Sequence, residues 1–246
     1  MNTDISHRLI VALDVDNAET ARGLVEKLAP LHVTYKVGMQ LFYREGVQFV
    51  RELIDAGHLV FVDLKLHDIP NTVAGAVQTL VSQGVLFFNV HCLGGTQMME
   101  AAAQAGKKAA GAIGKPPPLI AGVTVLTSMS ETVLHDELKI NEPLEPYVVS
   151  LASSAQACGL GGVVCSAKEA SKIRKVCGDD FVLITPGVRP KGSANGDQSR
   201  IVTPQMAIEA GATYIVVGRP ITQAPDPAEA AARILEEMSL VGVSQP

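Results

Sequence analysis

The chain has 246 residues, a hydrophobic fraction of 47% and a net charge of −5, which is the size and apolar content of an α/β domain with ample core. That charge is small and of the wrong sign for a polyanion-binding surface, so nucleic acid is not an expected partner. No apolar run approaches the ~20 residues of a membrane span, and the N-terminal Met-Asn-Thr-Asp-Ile-Ser-His-Arg carries an acid and no apolar stretch, unlike a signal peptide.

Apolar runs alternate with Ala- and Leu-rich helical stretches along the chain. The candidate strands are 8–13, 33–37, 59–64, 86–91, 119–126, 162–165, 182–185 and 214–217, with helices at, among others, 18–28, 40–55, 73–83 and 96–112. Short, continuously apolar strands joined by helices predict a parallel sheet buried on both faces. Eight such units in a chain of about 250 residues predict a closed (β/α)8 TIM barrel, a single domain over residues 1–246. A doubly wound open sheet is the alternative, and no early G-x-G-x-x-G supports it. With no Trp and 4% aromatic residues, the core and the barrel interior are expected to be aliphatic. Lys115-Pro-Pro-Pro118 predicts a rigid lead-in to the fifth strand, and 128–146 a polar segment with a short helix. The Gly-, Ser- and Asn-containing stretch 187–203 predicts a long functional or mobile loop, and the tail after Met238 is expected to fray. Cys92, Cys158, Cys165 and Cys177 show no C-x-x-C spacing, so buried thiols are expected rather than a zinc site. Together these features predict a soluble, cytoplasmic protein.

Charges interrupt the apolar runs where strands meet their loops. Asp14 follows the first run and Lys36 ends the second; Asp63 and Lys65 end the third, with Asp68 just beyond. On an extended backbone Asp63 and Lys65, two residues apart, project to one side. A lone D-x-K match is more simply a structural ion pair, and a lone strand-tip charge is more simply a surface charge. Four of them on the C-terminal rim of one barrel point instead to a shared site. Thr185-Pro-Gly-Val-Arg-Pro190 and Val216-Val-Gly-Arg-Pro220 follow the seventh and eighth strands, where barrels commonly bind phosphate. Gly218 lets backbone approach an anion and Arg219 supplies a fork of donors. His67 and His91 belong to no H-x-x-x-H or H-x-E set, so packed or hydrogen-bonding roles are expected rather than metal ligation.

Residues 63–72, Asp-Leu-Lys-Leu-His-Asp-Ile-Pro-Asn-Thr, resemble the signature of the orotidine 5'-monophosphate decarboxylases, bacterial type, which make UMP in de novo pyrimidine synthesis. The D-x-K-x-x-D core is shared with sugar-phosphate decarboxylases and aldolase-like synthases; the Ile-Pro-Asn-Thr extension points to the nucleotide enzymes. The resemblance covers nearly the whole chain. It implies a catalytic array of Lys36, Asp63, Lys65 and Asp68, with Lys65 stabilising and then protonating the carbanion left at C6. Asp63 would lie against the substrate carboxylate, and Asp14 with Lys36 would hold ribose hydroxyls. Thr127 would contact the pyrimidine, with Ser128 and Ser130 as alternatives, and Arg189, Gln198, Gly218 and Arg219 would hold the phosphate. The resemblance also implies a homodimer in which Asp68 and Thr72 reach the partner's site. No cofactor and no metal are implied, and no pyridoxal phosphate or thiamine diphosphate motif is recognisable. The rival readings are a magnesium-dependent decarboxylase of a sugar-acid phosphate, sharing Asp63, Lys65 and Asp68, and a non-catalytic phosphate-binding barrel. The second has no use for a buried Lys-Asp alternation.

Overall fold

The computed structural model describes residues 5–190 and 202–240. The strands are β1 (Leu9–Ala12), β2 (Thr34–Gly38), β3 (Val60–Leu66), β4 (Phe87–His91), β5 (Leu119–Val123), β6 (Gly162–Val164), β7 (Val182–Pro186) and β8 (Tyr214–Val217). They pair in parallel, in sequence order, and β8 closes the ring against β1. The predicted (β/α)8 barrel is what forms. Around it run α1 (Ala18–Leu28), α2 (Met39–Asp55), α3 (Pro70–Ser82), α4 (Gly95–Ala112), α5 (Leu144–Ala157), α6 (Ala167–Cys177), α7 (Pro204–Glu209), α8 (Arg219–Thr222) and α9 (Pro227–Ser239). Among the described residues no helix is long and apolar enough to cross a membrane.

Strand alternation sorts the core into two layers. Leu9 and Val11 of β1 pack under the helices, whereas Ile10 and Ala12 join Phe61, Ala121, Ile184 and Val216 on the barrel axis. The axis is not purely aliphatic, contrary to the compositional expectation. Phe61 stacks on Phe87 with ring centroids 4.4 Å apart, and Phe87 meets Tyr214 at 5.5 Å. Ala12 and Ala121 in the same cluster leave room for those rings. A low aromatic content limits how many rings there are, not where they sit.

Helix boundaries follow local chemistry. α1 starts where Asn17 caps the amide of Thr20, and α6 where Ser166 and Glu169 form a capping box. α3 begins at Pro70, ahead of the first residue of the apolar period, because the proline ring presets the helical φ and lacks the amide that would go unbonded. Two strand ends differ from prediction by more than one residue. β5 stops at Val123, since β6 ends at Val164 and both the amide and the hydroxyl of Thr124 turn onto the Val164 carbonyl. β3 runs past residue 64 to Leu66, through an irregularity that shapes the site.

Candidate active site

Four side chains form one line of alternating charge on the C-terminal rim. Lys36 Nζ lies 2.8 Å from Asp14 Oδ1 and 3.5 Å from Asp63 Oδ2, and Lys65 Nζ lies 2.7 Å from Asp63 Oδ1. β2 and β3 set the inner pair. Thr34, Lys36 and Gly38 alternate with Tyr35 and Val37, which are buried under the helices, so Lys36 points to the axis. Phe61 and Asp63 share that inward parity on β3, and Asp63 is in register with Gly38. The side chains of Lys36 and Asp63 are only 10% and 15% exposed, while Asp14 is 55% exposed and free to meet a ligand. Burial pushes the Asp63 carboxyl up, but the ammonium groups of Lys36 and Lys65 and the donors from Lys65 and Asn89 outweigh it. The carboxyl stays below its ordinary value.

Asp63 and Lys65 do not meet by simple strand alternation. Val62 pairs with Phe88 and Leu66 with Val90, so β3 bulges between them. Within the bulge Lys65 has φ +52, a left-handed conformation that costs a non-glycine residue about 1–3 kcal/mol. Asn89 of β4 fills the break: its Oδ1 accepts from the Lys65 amide at 2.7 Å and its Nδ2 donates to Asp63 Oδ1 at 2.7 Å. Sequence reasoning passed over Asn89, although a lone amide inside Phe-Phe-Asn-Val-His is a readable signal. It also passed over Gly38. A Cβ there would stand 2.8 Å from Lys36 Nζ and 3.1 Å from Asp14 Oδ1, so only glycine leaves that ion pair undisturbed.

The loops after β7 and β8 are neighbours, because Pro186 and Val216 are paired. Val188 bridges Val202, and the Arg189 amide donates to the Val202 carbonyl at 3.0 Å, so the base of the long loop is pinned at both ends. Arg189 is half-buried there; Arg219 is exposed as the first residue of α8. At Gly218 an added Cβ would sit 3.5 Å from Ala12 Cβ, an ordinary contact, so packing within the chain does not demand glycine. Gln198 lies outside the described residues, as do most of the 187–203 loop and the end of the tail.

Comparison with known proteins adds to this geometry. The profile of the Orotidine 5'-phosphate decarboxylase / HUMPS family matches residues 7–234. The chain belongs to that family. It is 49% identical over 232 residues to the orotidine 5'-phosphate decarboxylase of Heliobacterium modesticaldum, covering 94% of this chain and 96% of that one. It is 50% identical over 233 residues to that of Enterococcus faecalis, covering 94% and 98%. The crystal structure of the orotidine 5'-phosphate decarboxylase from Lactobacillus acidophilus superposes with a TM-score of 0.82 at 41% identity, over 94% of this chain and 99% of that one.

Other residues of the decarboxylase signature lie outside the charged line. Asp68 is exposed, and its Oδ1 accepts from the next amide, that of Ile69, at 2.6 Å. Thr72 is exposed on the first turn of α3, beside Ile69, which is 67% exposed. Thr127 and Ser128 are exposed in the loop after β5. Ser130 Oγ instead accepts from the Val133 amide, opening the short π-helical turn Val133–Glu137 in the segment predicted to hold a short helix. His67 and His91 stack with centroids 5.3 Å apart. His91 Nδ1 accepts from the Leu93 amide. Burial, then His67 and Lys65, push its imidazole down to about 4. Among the described residues no group of three or more His, Cys, Asp or Glu is placed to hold a metal ion.

Proposed function

We propose that the chain decarboxylates orotidine 5'-monophosphate to UMP in pyrimidine biosynthesis, without cofactor or metal. It would act as a cytoplasmic homodimer, each protomer one barrel domain over residues 1–246. The observation that carries this reading is the continuous Asp14–Lys36–Asp63–Lys65 line on the barrel rim. It occurs in a chain about half identical to relatives named for that activity.

Breaking the C6–carboxylate bond leaves its electron pair on C6, in the plane of the ring, where no carbonyl can delocalise it. An ammonium held against C6 stabilises that charge as it develops and then supplies the proton. Lys65 takes this role: it gives its proton to C6, CO2 departs, and the neutral amine is reprotonated from water. Asp63 is ionised beside it and fixes the Lys65 ammonium; Lys36 neutralises the far oxygen of Asp63 and holds Asp14 for the ribose hydroxyls. Arg189, Gln198, Gly218 and Arg219 take the phosphate, and Thr127 the pyrimidine. Asp68 and Thr72, exposed in one protomer, complete the partner's site.

The test follows orotidine monophosphate loss by absorbance in excess EDTA, with a sugar-acid phosphate as a parallel substrate. Turnover of the nucleotide alone, unaffected by chelation, supports the proposal. Turnover of the sugar-acid phosphate, abolished by EDTA, would replace it with the magnesium-dependent rival.

A further inference from the structure

Asn89 is a buried polar group beside the charged line that the reaction scheme leaves without a role. It lies mid-strand between Phe88 and Val90 and is 1% exposed. Both ends of its carboxamide are used by β3: the oxygen takes the Lys65 amide and the nitrogen gives to Asp63 Oδ1, each at 2.7 Å. These bonds fall where β3 takes four steps, Val62 to Leu66, against two on β4, Phe88 to Val90. Lys65 sits inside that break at φ +52, a conformation a lysine keeps only when its surroundings impose it. Its amide, out of step with the ladder, needs a side-chain acceptor in place of a strand carbonyl.

We propose that Asn89 is a positioning residue. Its carboxamide clamps the β3 bulge so that the Lys65 ammonium and the Asp63 carboxylate are presented together. This rests on the reading of Lys65 as proton donor. The residue type follows from the two bonds. Leucine matches the shape but offers neither. Aspartate keeps the acceptor for the Lys65 amide but turns a second negative charge on Asp63.

The experiment compares wild type, Asn89→Leu and Asn89→Asp. In Asn89→Leu, kcat falls about 100-fold, the loss that a misplacement of about 1 Å brings, while KM moves by less than about threefold. Asn89→Asp is impaired at neutral pH, and its activity relative to wild type rises as pH falls. Once protonated, the introduced carboxyl both accepts and donates, as the carboxamide does. Of two carboxyls sharing one proton, one holds it above the ordinary range. The other charged groups nearby, Asp63, Lys65 and Lys36, and the His91 and His67 pair, are common to both proteins, so the ratio isolates the introduced group. Amide exchange at Lys65, which needs no substrate, speeds up in Asn89→Leu. Wild-type kcat in Asn89→Leu, a loss carried by KM alone, or an unchanged exchange rate would each overturn the clamp. If Asn89→Leu does not fold, a pH-independent ratio in Asn89→Asp overturns it. If wild type fails to turn over orotidine monophosphate, the proposed reaction falls, and exchange at Lys65, with Asn89→Asp as second variant, still decides the clamp.

Discussion

Lys36 and Asp63 are buried charges that neutralise each other, and Asp14 and Lys65 extend from them toward solvent. Burying charge is costly unless it is paired, so each member of the inner pair stabilises the other's burial. Lys65 is different. Its removal leaves Asp63 with Lys36 and the Asn89 amide, so the barrel should survive. Lys65→Ala should therefore keep a cooperative melt while turnover all but disappears. A variant retaining a tenth of wild-type kcat, only ~1.4 kcal/mol of barrier, would show that Lys65 is not the proton donor. His91 gives a separate, pH-dependent expectation. Unfolded, it binds a proton below its ordinary 6.5; folded, it refuses one until about 4. The unfolded state thus binds more protons between those values. The stability His91 contributes is full above pH 6.5, falls as pH drops from 6.5 to about 4, and is level below. Across that window wild type should lose more melting temperature than His91→Asn; parallel losses would mean that His91 is not held neutral.

Elements were legible wherever one period dominated. α1 is found at the predicted 18–28, and β8 at 214–217, because each is set by its own apolar pattern and, in α1, a cap. β3 outruns the predicted 59–64 because the charges of Asp63 and Lys65 resemble the end of an apolar strand; only pairing with β4, past the left-handed Lys65, carries it on to Leu66. The segments after β7 and β8 carry the next prediction. The phosphate lies far from C6, so its grip can act only by ordering the loop, excluding water and holding the pyrimidine against Lys65. Arg219→Ala should cost kcat/KM more than the ~1.5–3 kcal/mol of one charged hydrogen bond. Added guanidinium should restore part of the loss. Orotidine without its phosphate should be turned over equally by both proteins. Equal impairment on both substrates would remove Arg219 from the phosphate site.

At the scale of the whole molecule, the exposed positions of Asp68, Ile69 and Thr72 fit a site completed by a second copy. Mixing Lys65→Ala with Asp68→Ala homodimers tests this. In the exchanged dimer one site carries neither lesion and the other carries both. Random exchange of equal amounts should restore about a quarter of wild-type specific activity, since half the dimers are mixed and each has one intact site. No recovery after subunit exchange has been verified by mass would put Asp68 within its own protomer's chemistry or outside it altogether.

The βα alternation, the closed barrel and the rim positions of Asp14, Lys36, Asp63 and Lys65 were determined by sequence alone. Each depends on local period and on a charge interrupting an apolar run, and the barrel geometry then carries every strand end to one rim. The tertiary structure alone decided the Asn89 clamp, the bulge that turns Lys65 toward Asp63, the space kept open by Gly38, and the Phe61–Phe87–Tyr214 stack on the axis. Most of these are contacts between separate strands. They follow from register and from which face each residue turns inward, and a one-residue shift in register, invisible in the composition of any single strand, would exchange those faces.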